Sequence, residues 1–408
     1  MSFRDFVYEK FSDFYNSPSK EIPSPSFLGK RELGFILLKG RIMLRHKVFT
    51  SISDLRSFLG KVVPSDVYHS CAYYENPEAE MDKKGWLGAD LVFDIDADHI
   101  PTSCEKLHDQ WTCNKCGFVD NGEPPKHCPE CNSEKFETKT WVCEKCLGSA
   151  KKETAKLIDI LKGDFGFTDN EVHVFFSGHR GYHVHVENEA VKLLDAMSRK
   201  EIVDYVTGLG LTISKRGIIR RKGKKAREEF FLSDFAWNKR IKQGMRNYIS
   251  SASVDDLKNI GLKRASHVVF DNKELILDRC IDKGLWNSVK NVTSATWKKI
   301  AEYVKDLESA KIDTVVTTDT HRLIRMNGTL HGKTGLKKIE IPIRRLQNFD
   351  PFEDALAFKK GTVKLLVSEV PEFRLGGNVF GPYRNEPVEV STAAAVLLIC
   401  KGRAEVAN

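Results

Sequence analysis

Apolar residues at near-helical spacing open the chain. Phe3, Phe6, Val7, Phe11, Phe14 and Tyr15 share one face within 1–18, which predicts an amphipathic helix packed on the body. The period then shortens to that of strands over 33–38, over 42–45 after the Lys39-Gly40 turn, and over 67–74. Residues 90–96 predict a further strand. A helix is expected over 151–161, stopped near Gly163, and then two strands, 171–176 and 182–186, joined by a glycine-containing turn. Helical patterning dominates 190–308, with 191–207, 255–260 and 296–307 as candidates. Strands return near 312–317, 338–343 and 363–368. The apolar run 393–400 predicts a buried C-terminal helix and is too short to span a bilayer.

The order of elements predicts an α/β fold with a mixed sheet flanked by helices, interrupted by an inserted helical subdomain and a cysteine-rich insertion. With 408 residues the chain can form two or three domains. The expected division is 1–103, 147–189 and 309–408 for the α/β body, 104–146 for the cysteine-rich insertion and 190–308 for the helical part. The formal net charge of +8 is modest, but eight of the thirteen residues 215–227 are Lys or Arg. Such a block attracts a polyanion, nucleic acid being the commonest. The N-terminus has charges throughout and no uninterrupted apolar stretch, so it does not read as a signal peptide, and a cytoplasmic protein without a membrane segment is expected.

Chemistry concentrates first at Leu-Val-Phe-Asp-Ile-Asp, residues 91–96. On a strand Asp94 and Asp96 leave the same face, and two carboxylates that close repel unless a proton or a cation lies between them. Hard oxygen ligands suit Mg²⁺ or Mn²⁺, and a pair of such ions is the usual machinery of nucleotidyl transfer.

Seven of the ten cysteines fall between 104 and 146, in paired spacings that argue for metal. Cys113, Cys116, Cys128 and Cys131 form two C-x-x-C knuckles eleven residues apart, a zinc-ribbon pattern whose four thiolates close a structural site. Cys104, His108, Cys143 and Cys146 bracket that ribbon and make a second Zn²⁺ set. His127 competes with His108, but it abuts a knuckle already supplied with four sulfurs. Cys71, Cys280 and Cys400 read as buried thiols.

Two further clusters suit an anionic ligand. In Ser177-Gly-His-Arg180-Gly-Tyr-His183-Val-His185, two glycines permit close backbone approach, Ser177 offers a hydroxyl and Arg180 a guanidinium fork. His183 and His185 share one face of the strand that follows. From Asp313 to Lys333, an acid, Arg322, Arg325 and a glycine-flanked His331 alternate with a short apolar core.

Taken together, Leu-Val-Phe-Asp-Ile-Asp, Ser-Gly-x-Arg-Gly-x-His, and the 313–331 stretch with Arg-Leu-Ile-Arg and Leu-His-Gly-Lys-Thr-Gly-Leu resemble the small catalytic subunit of archaeal and eukaryotic-type DNA primases. The match runs from about residue 30 to 345. The resemblance implies that Asp94, Asp96 and Asp313 bind the catalytic metals, with Asp319 a rival for the third place. It implies that Ser177, Arg180 and His183 contact the phosphates of a nucleoside triphosphate, and that Arg325 and His331, the latter if protonated, complete the pocket. Arg45 is a weaker candidate. His179 stands where some relatives carry a second arginine. The Cys104, His108, Cys143, Cys146 set resembles the family's zinc knuckle, and the ribbon looks like an insertion that many relatives lack.

The implied activity is de novo synthesis of short primers on single-stranded DNA by two-metal nucleotidyl transfer, in a heterodimer with a large regulatory primase subunit. Two rivals are a repair polymerase of the same superfamily, which extends primers without starting them, and a non-enzymatic zinc-ribbon protein that binds nucleic acid.

Overall fold

The structure, a computed structural model, describes residues 3–19, 21–100, 102, 104, 108–213, 215–219 and 227–407. The chain divides into two compact units, one formed by Met1–Ile158, Gly166–Glu201 and Lys311–Asn408, the other by Asp159–Phe165 and Ile202–Ala310.

Two four-stranded sheets organise the larger unit. One runs in the order Leu323–Arg325, Pro64–Ser70, Leu33–Leu37, Met43–Lys47; the other runs Ile339–Ile341, Val172–Phe176, Gly181–Val186, Leu91–Asp96. The fold is mixed α/β, but the expected mixed sheet is corrected. All strand pairs among the described residues are antiparallel. Parallel neighbours would need long crossover connections, whereas Val172–Phe176 and Gly181–Val186 are joined by a short turn. The amphipathic first helix, Phe3–Asn16, buries Phe6, Val7, Phe11, Phe14 and Tyr15, and the apolar run near the C-terminus forms the buried helix Thr392–Cys400.

Three predicted elements change form. The segment 312–317 is not a strand: its β-branched residues make the short helix Thr314–Thr318, because the Asp313 side chain accepts from Val315 N and caps it. Val316 and Thr317 are buried while Val315 faces solvent. The helix expected over 151–161 begins earlier and spans Glu144–Gly163; Cys146 and Gly148 in its first turns break the helical signal. The single helix expected over 191–207 is two, Glu189–Lys192 and Ala196–Thr207. Asn188 caps the first, and Asp195, which accepts from Ser198 N at 2.8 Å, starts the second.

The smaller unit packs helices Ala236–Ser251 and Ser294–Glu308 around Trp237, Ile241, Met245, Trp286, Trp297 and Ile300. Trp297 Nε1 donates to Trp286 O at 2.9 Å, so the buried indole is satisfied. Strands Lys215–Ile219 and Arg227–Phe230 pair antiparallel at the ends of the basic block; Arg220, Arg221, Lys222, Lys224 and Lys225 lie outside the described residues. No helix among the described residues is long and apolar enough to cross a membrane.

One contact fixes the strand that carries the acid pair. Gly181 faces Asp96 across the ladder, and a Cβ there would meet Ile95 O at 2.1 Å and Asp96 Cα at 2.9 Å. Gly181→Ala is therefore expected to push the two strands apart and cost about 2 kcal/mol, read as a lower urea midpoint. An unchanged midpoint would show that the strands are not in this close contact.

Candidate active site

Leu91–Asp96 is the outer strand of its sheet. Leu91, Val92, Phe93 and Ile95 are buried, and Asp94 and Asp96, half-buried, leave the strand on one face. Asp94 faces His183 in the ladder. On the strand's open side, Asp313 N donates to Asp94 O at 2.8 Å, so a residue more than two hundred positions away is hydrogen-bonded to the strand of the acid pair. The Asp94 carboxyl is pushed up to about 7, first by burial and then by the charges of Asp96 and Asp313; Lys338 and Arg322 act in the opposite sense. Asp96 accepts from Asp98 N at 3.1 Å and Asp313 from Val315 N at 3.0 Å, each capping its own helical turn. Asp319 sits at the other end of the Thr314–Thr318 helix and accepts from His321 N.

The chemistry of this donor set fits a hard divalent cation: three oxygen-bearing acids disfavour one another's charge, and a cation removes the conflict. The three carboxylates are nevertheless not drawn into one tight cluster. Among the described residues, the sets of three or more ligand atoms within 4.8 Å of one another are the two cysteine sets.

His183 lies between the acids and a group of cations. Its Nε2 is 3.5 Å from Asp94 Oδ1, and its Nδ1 is 3.1 Å from Lys338 Nζ. Lys338, fully buried, also donates to Arg325 O at 2.7 Å. Arg325 pairs with Asp66 at 2.5 Å and reaches Leu330 O. Ser177 Oγ accepts from His179 N and Gly181 N, both at 3.3 Å, and so holds the turn 177–181 closed. His331 stacks on His179 with ring centroids 4.9 Å apart. Protonation, the condition attached to the charge of His331, is disfavoured where the ring lies. Burial, and then Arg325, His179, Lys401 and Lys333, keep its pKa well below the usual histidine value, so the ring is neutral. Arg45 hydrogen-bonds Glu32 on the other sheet, at 2.9 and 3.3 Å.

Arg180 is not presented to solvent beside the turn. Its side chain is 1% exposed, with Nη1 2.5 Å from Asp98 Oδ1 and Nη2 3.0 Å from Asp109 Oδ2. Asp109 leads on to the second cysteine set, because its Oδ1 accepts from His108 Nδ1 at 2.7 Å and from Trp141 N at 2.8 Å. That hydrogen bond turns His108 Nε2 toward Cys146 Sγ, 3.6 Å away, the orientation a metal-ligating imidazole needs. His127 is excluded by position: it lies 3.5 Å from Glu134, half-exposed, outside either set. Sγ–Sγ distances are 3.3 and 3.5 Å in the Cys104 set and 3.4 and 3.7 Å in the Cys113 set. Tetrahedral thiolates at a zinc–sulfur bond of about 2.3 Å stand roughly 3.8 Å apart, so both sets are of a size to hold Zn²⁺.

Lys338 and Asp66 lie outside the motifs that the sequence marks. Lys338 has a weak signal, a lysine leading into the apolar alternation of Ile339-Glu-Ile341. Asp66 carries no local signal, since its partners Arg325 and Gly332 are more than 250 residues away.

The raised Asp94 pKa has a stability consequence. The metal-free protein holds a proton there up to about 7, whereas the unfolded chain releases it near about 4, so this group's contribution is full at low pH and is lost as pH rises between those values. Asp94→Asn should therefore melt at a higher temperature than the parent at pH 8 in chelator, with the gap closing toward pH 4. Mg²⁺ should raise the parent's midpoint more than the variant's. Equal midpoints at both pH values would show that the carboxylates do not repel as described.

A family model described as DNA primase small subunit matches residues 125–344. The DNA primase small subunit PriS of Cenarchaeum symbiosum is 32% identical over 399 residues, covering 98% of this chain and 97% of that protein. That of Nitrosopumilus maritimus is 32% identical over 403 residues, covering 98% of each. That of Archaeoglobus fulgidus is 31% identical over 403 residues, covering 98% of this chain and 97% of the relative. With similarity running along nearly the whole length of each protein, the chain belongs to the DNA primase small subunit family.

Proposed function

We propose that this chain is the catalytic subunit of a DNA primase, joining nucleotides from nucleoside triphosphates on a single-stranded DNA template without a pre-existing primer. The observation that carries the reading is the hydrogen bond from Asp313 N to Asp94 O, beside a carboxyl that burial, and then the charges of Asp96 and Asp313, push up to about 7. Asp94, Asp96 and Asp313 would hold Mg²⁺ or Mn²⁺. When bound, such ions supply Lewis acidity toward a 3′-hydroxyl and counter-charge for the triphosphate. His183, held between Asp94 and Lys338, would donate from Nε2 to a phosphate oxygen. Arg325 and His331 would meet the same anion, and Ser177 would keep the turn in shape for it. Arg180 would contribute charge from beneath the turn, where Asp98 and Asp109 hold it. These are electrostatic tasks, strongest where water is excluded. Arg45, committed to Glu32, would take no direct part.

On this reading, 1–103, 147–189 and 309–408 are the catalytic part, 104–146 the zinc-binding part and 190–308 the helical part with the basic block. The relatives' name, small subunit, supports a larger regulatory subunit as partner. Each cysteine set would carry one structural Zn²⁺ and order a segment too small to hold a core. Metal analysis of the purified chain should give two zinc ions; one or none would remove the second site.

The activity test is synthesis on unprimed single-stranded DNA, with and without a large subunit. The wild-type chain should make primers, and Asp94→Ala or Asp96→Ala should abolish incorporation while circular dichroism stays native. Incorporation at the wild-type rate by either variant would reject the acid assignment. Extension of supplied primers without any product on unprimed template would favour a repair polymerase instead.

A further inference from the structure

The turn 177–181 has two ends with different chemistry. Gly181 lies against Asp96, and His179 lies against His331 and Lys401. Lys401 follows the apolar helix Thr392–Cys400, and its N–H closes that helix on Leu397 O at 2.9 Å. Its ammonium lies 2.8 Å from His179 Nε2 and donates to Thr140 O at 3.2 Å. As an ammonium Lys401 donates to His179 Nε2, and burial, then Lys401 and the other cations nearby, hold the His179 pKa well below the usual histidine value. His331 is neutral too, accepting at Nδ1 from Lys333 N at 3.1 Å.

The charges around these stacked rings are unevenly answered. Arg180 has Asp98 and Asp109, and Arg325 has Asp66. The hydrogen bonds described for Lys401 both go to neutral acceptors, a backbone carbonyl and an imidazole, and use two of its three N–H groups. Burial, with Arg180 and Lys333 next, pushes the Lys401 ammonium down to about 7 against the opposing pull of Asp98 and Asp109, which are already engaged by Arg180, so a further anion would favour its charged form. A helix-capping lysine needs neither burial nor the contact with His179. The layout suits a molecule whose reacting phosphorus sits by carboxylates and whose remaining phosphates sit by cations.

We infer that Lys401 is a binding residue for the polyphosphate tail of the nucleoside triphosphate, reaching it across the His179 end of the turn. The inference rests on the nucleotidyl-transfer reading and deepens it, adding a contact from the C-terminal helix that none of the three sequence motifs contains. Charge-assisted hydrogen bonds of this kind correspond to roughly ten- to hundredfold in affinity.

The test is equilibrium binding of ATP and of AMP, with Mg²⁺, to wild type, Lys401→Ala and Lys401→Arg, alongside each protein's melting temperature. Lys401→Ala should bind ATP about tenfold or more weaker with AMP affinity unchanged, Lys401→Arg should recover most of the loss, and the KM for nucleotide should rise while kcat changes little. Unchanged ATP affinity in Lys401→Ala, or an equal loss for ATP and AMP with a lower melting temperature, would overturn the inference and leave a structural cap. Folded wild-type protein that binds no ATP would instead overturn the nucleotidyl-transfer reading itself, and this contact with it.

Discussion

Three like charges brought to one strand edge set the terms for the larger unit. Asp94 is held next to Asp96 by the period of its strand and next to Asp313 by a backbone hydrogen bond. Neither restraint can relax without unpicking an antiparallel ladder or a helix cap. The repulsion is therefore built in, and together with burial, the larger cause, it pushes the Asp94 carboxyl up to about 7. Carboxyls perturbed in this way cluster at functional sites, and a divalent cation would resolve the conflict between them.

The surroundings are organised to keep that edge in register. Gly181 lets the neighbouring backbone approach, and Ser177 Oγ ties the turn that precedes it. Arg180 extends the same restraint outward. It pairs with Asp98, whose N–H donates to the Asp96 carboxylate, and with Asp109, which accepts from the histidine of the Cys104 set. A buried ion pair contributes little net stability, but removing one partner leaves a charge stranded. Arg180 thus connects the Cys104 set, through Asp109, to the turn that follows the acid pair, through Asp98.

The sequence disclosed the parts of this site that follow local rules. The D-x-D pair needed only the two-residue strand period, and the cysteine sets needed only spacing. Asp313 was nominated by resemblance, and its helix cap was hidden because Thr-Val-Val-Thr-Thr has strand-like composition; one side-chain hydrogen bond from Asp313 decided the outcome. The role of Arg180 was less visible for a different reason. A guanidinium flanked by glycines reads as exposed, and its burial depends on Asp98 and Asp109, which no short pattern connects to it. Lys338 and Lys401 illustrate the same limit, since both reach the histidines from segments more than 150 residues away.

The proposal that Asp94, Asp96 and Asp313 share one cation site is most directly tested by Mn²⁺ binding, followed by electron paramagnetic resonance. The account predicts that wild-type protein binds Mn²⁺ and that Asp94→Ala, Asp96→Ala and Asp313→Ala each weaken that binding, while Asp319→Ala does not. Wild-type Mn²⁺ affinity in Asp313→Ala, or its loss in Asp319→Ala instead, would contradict it.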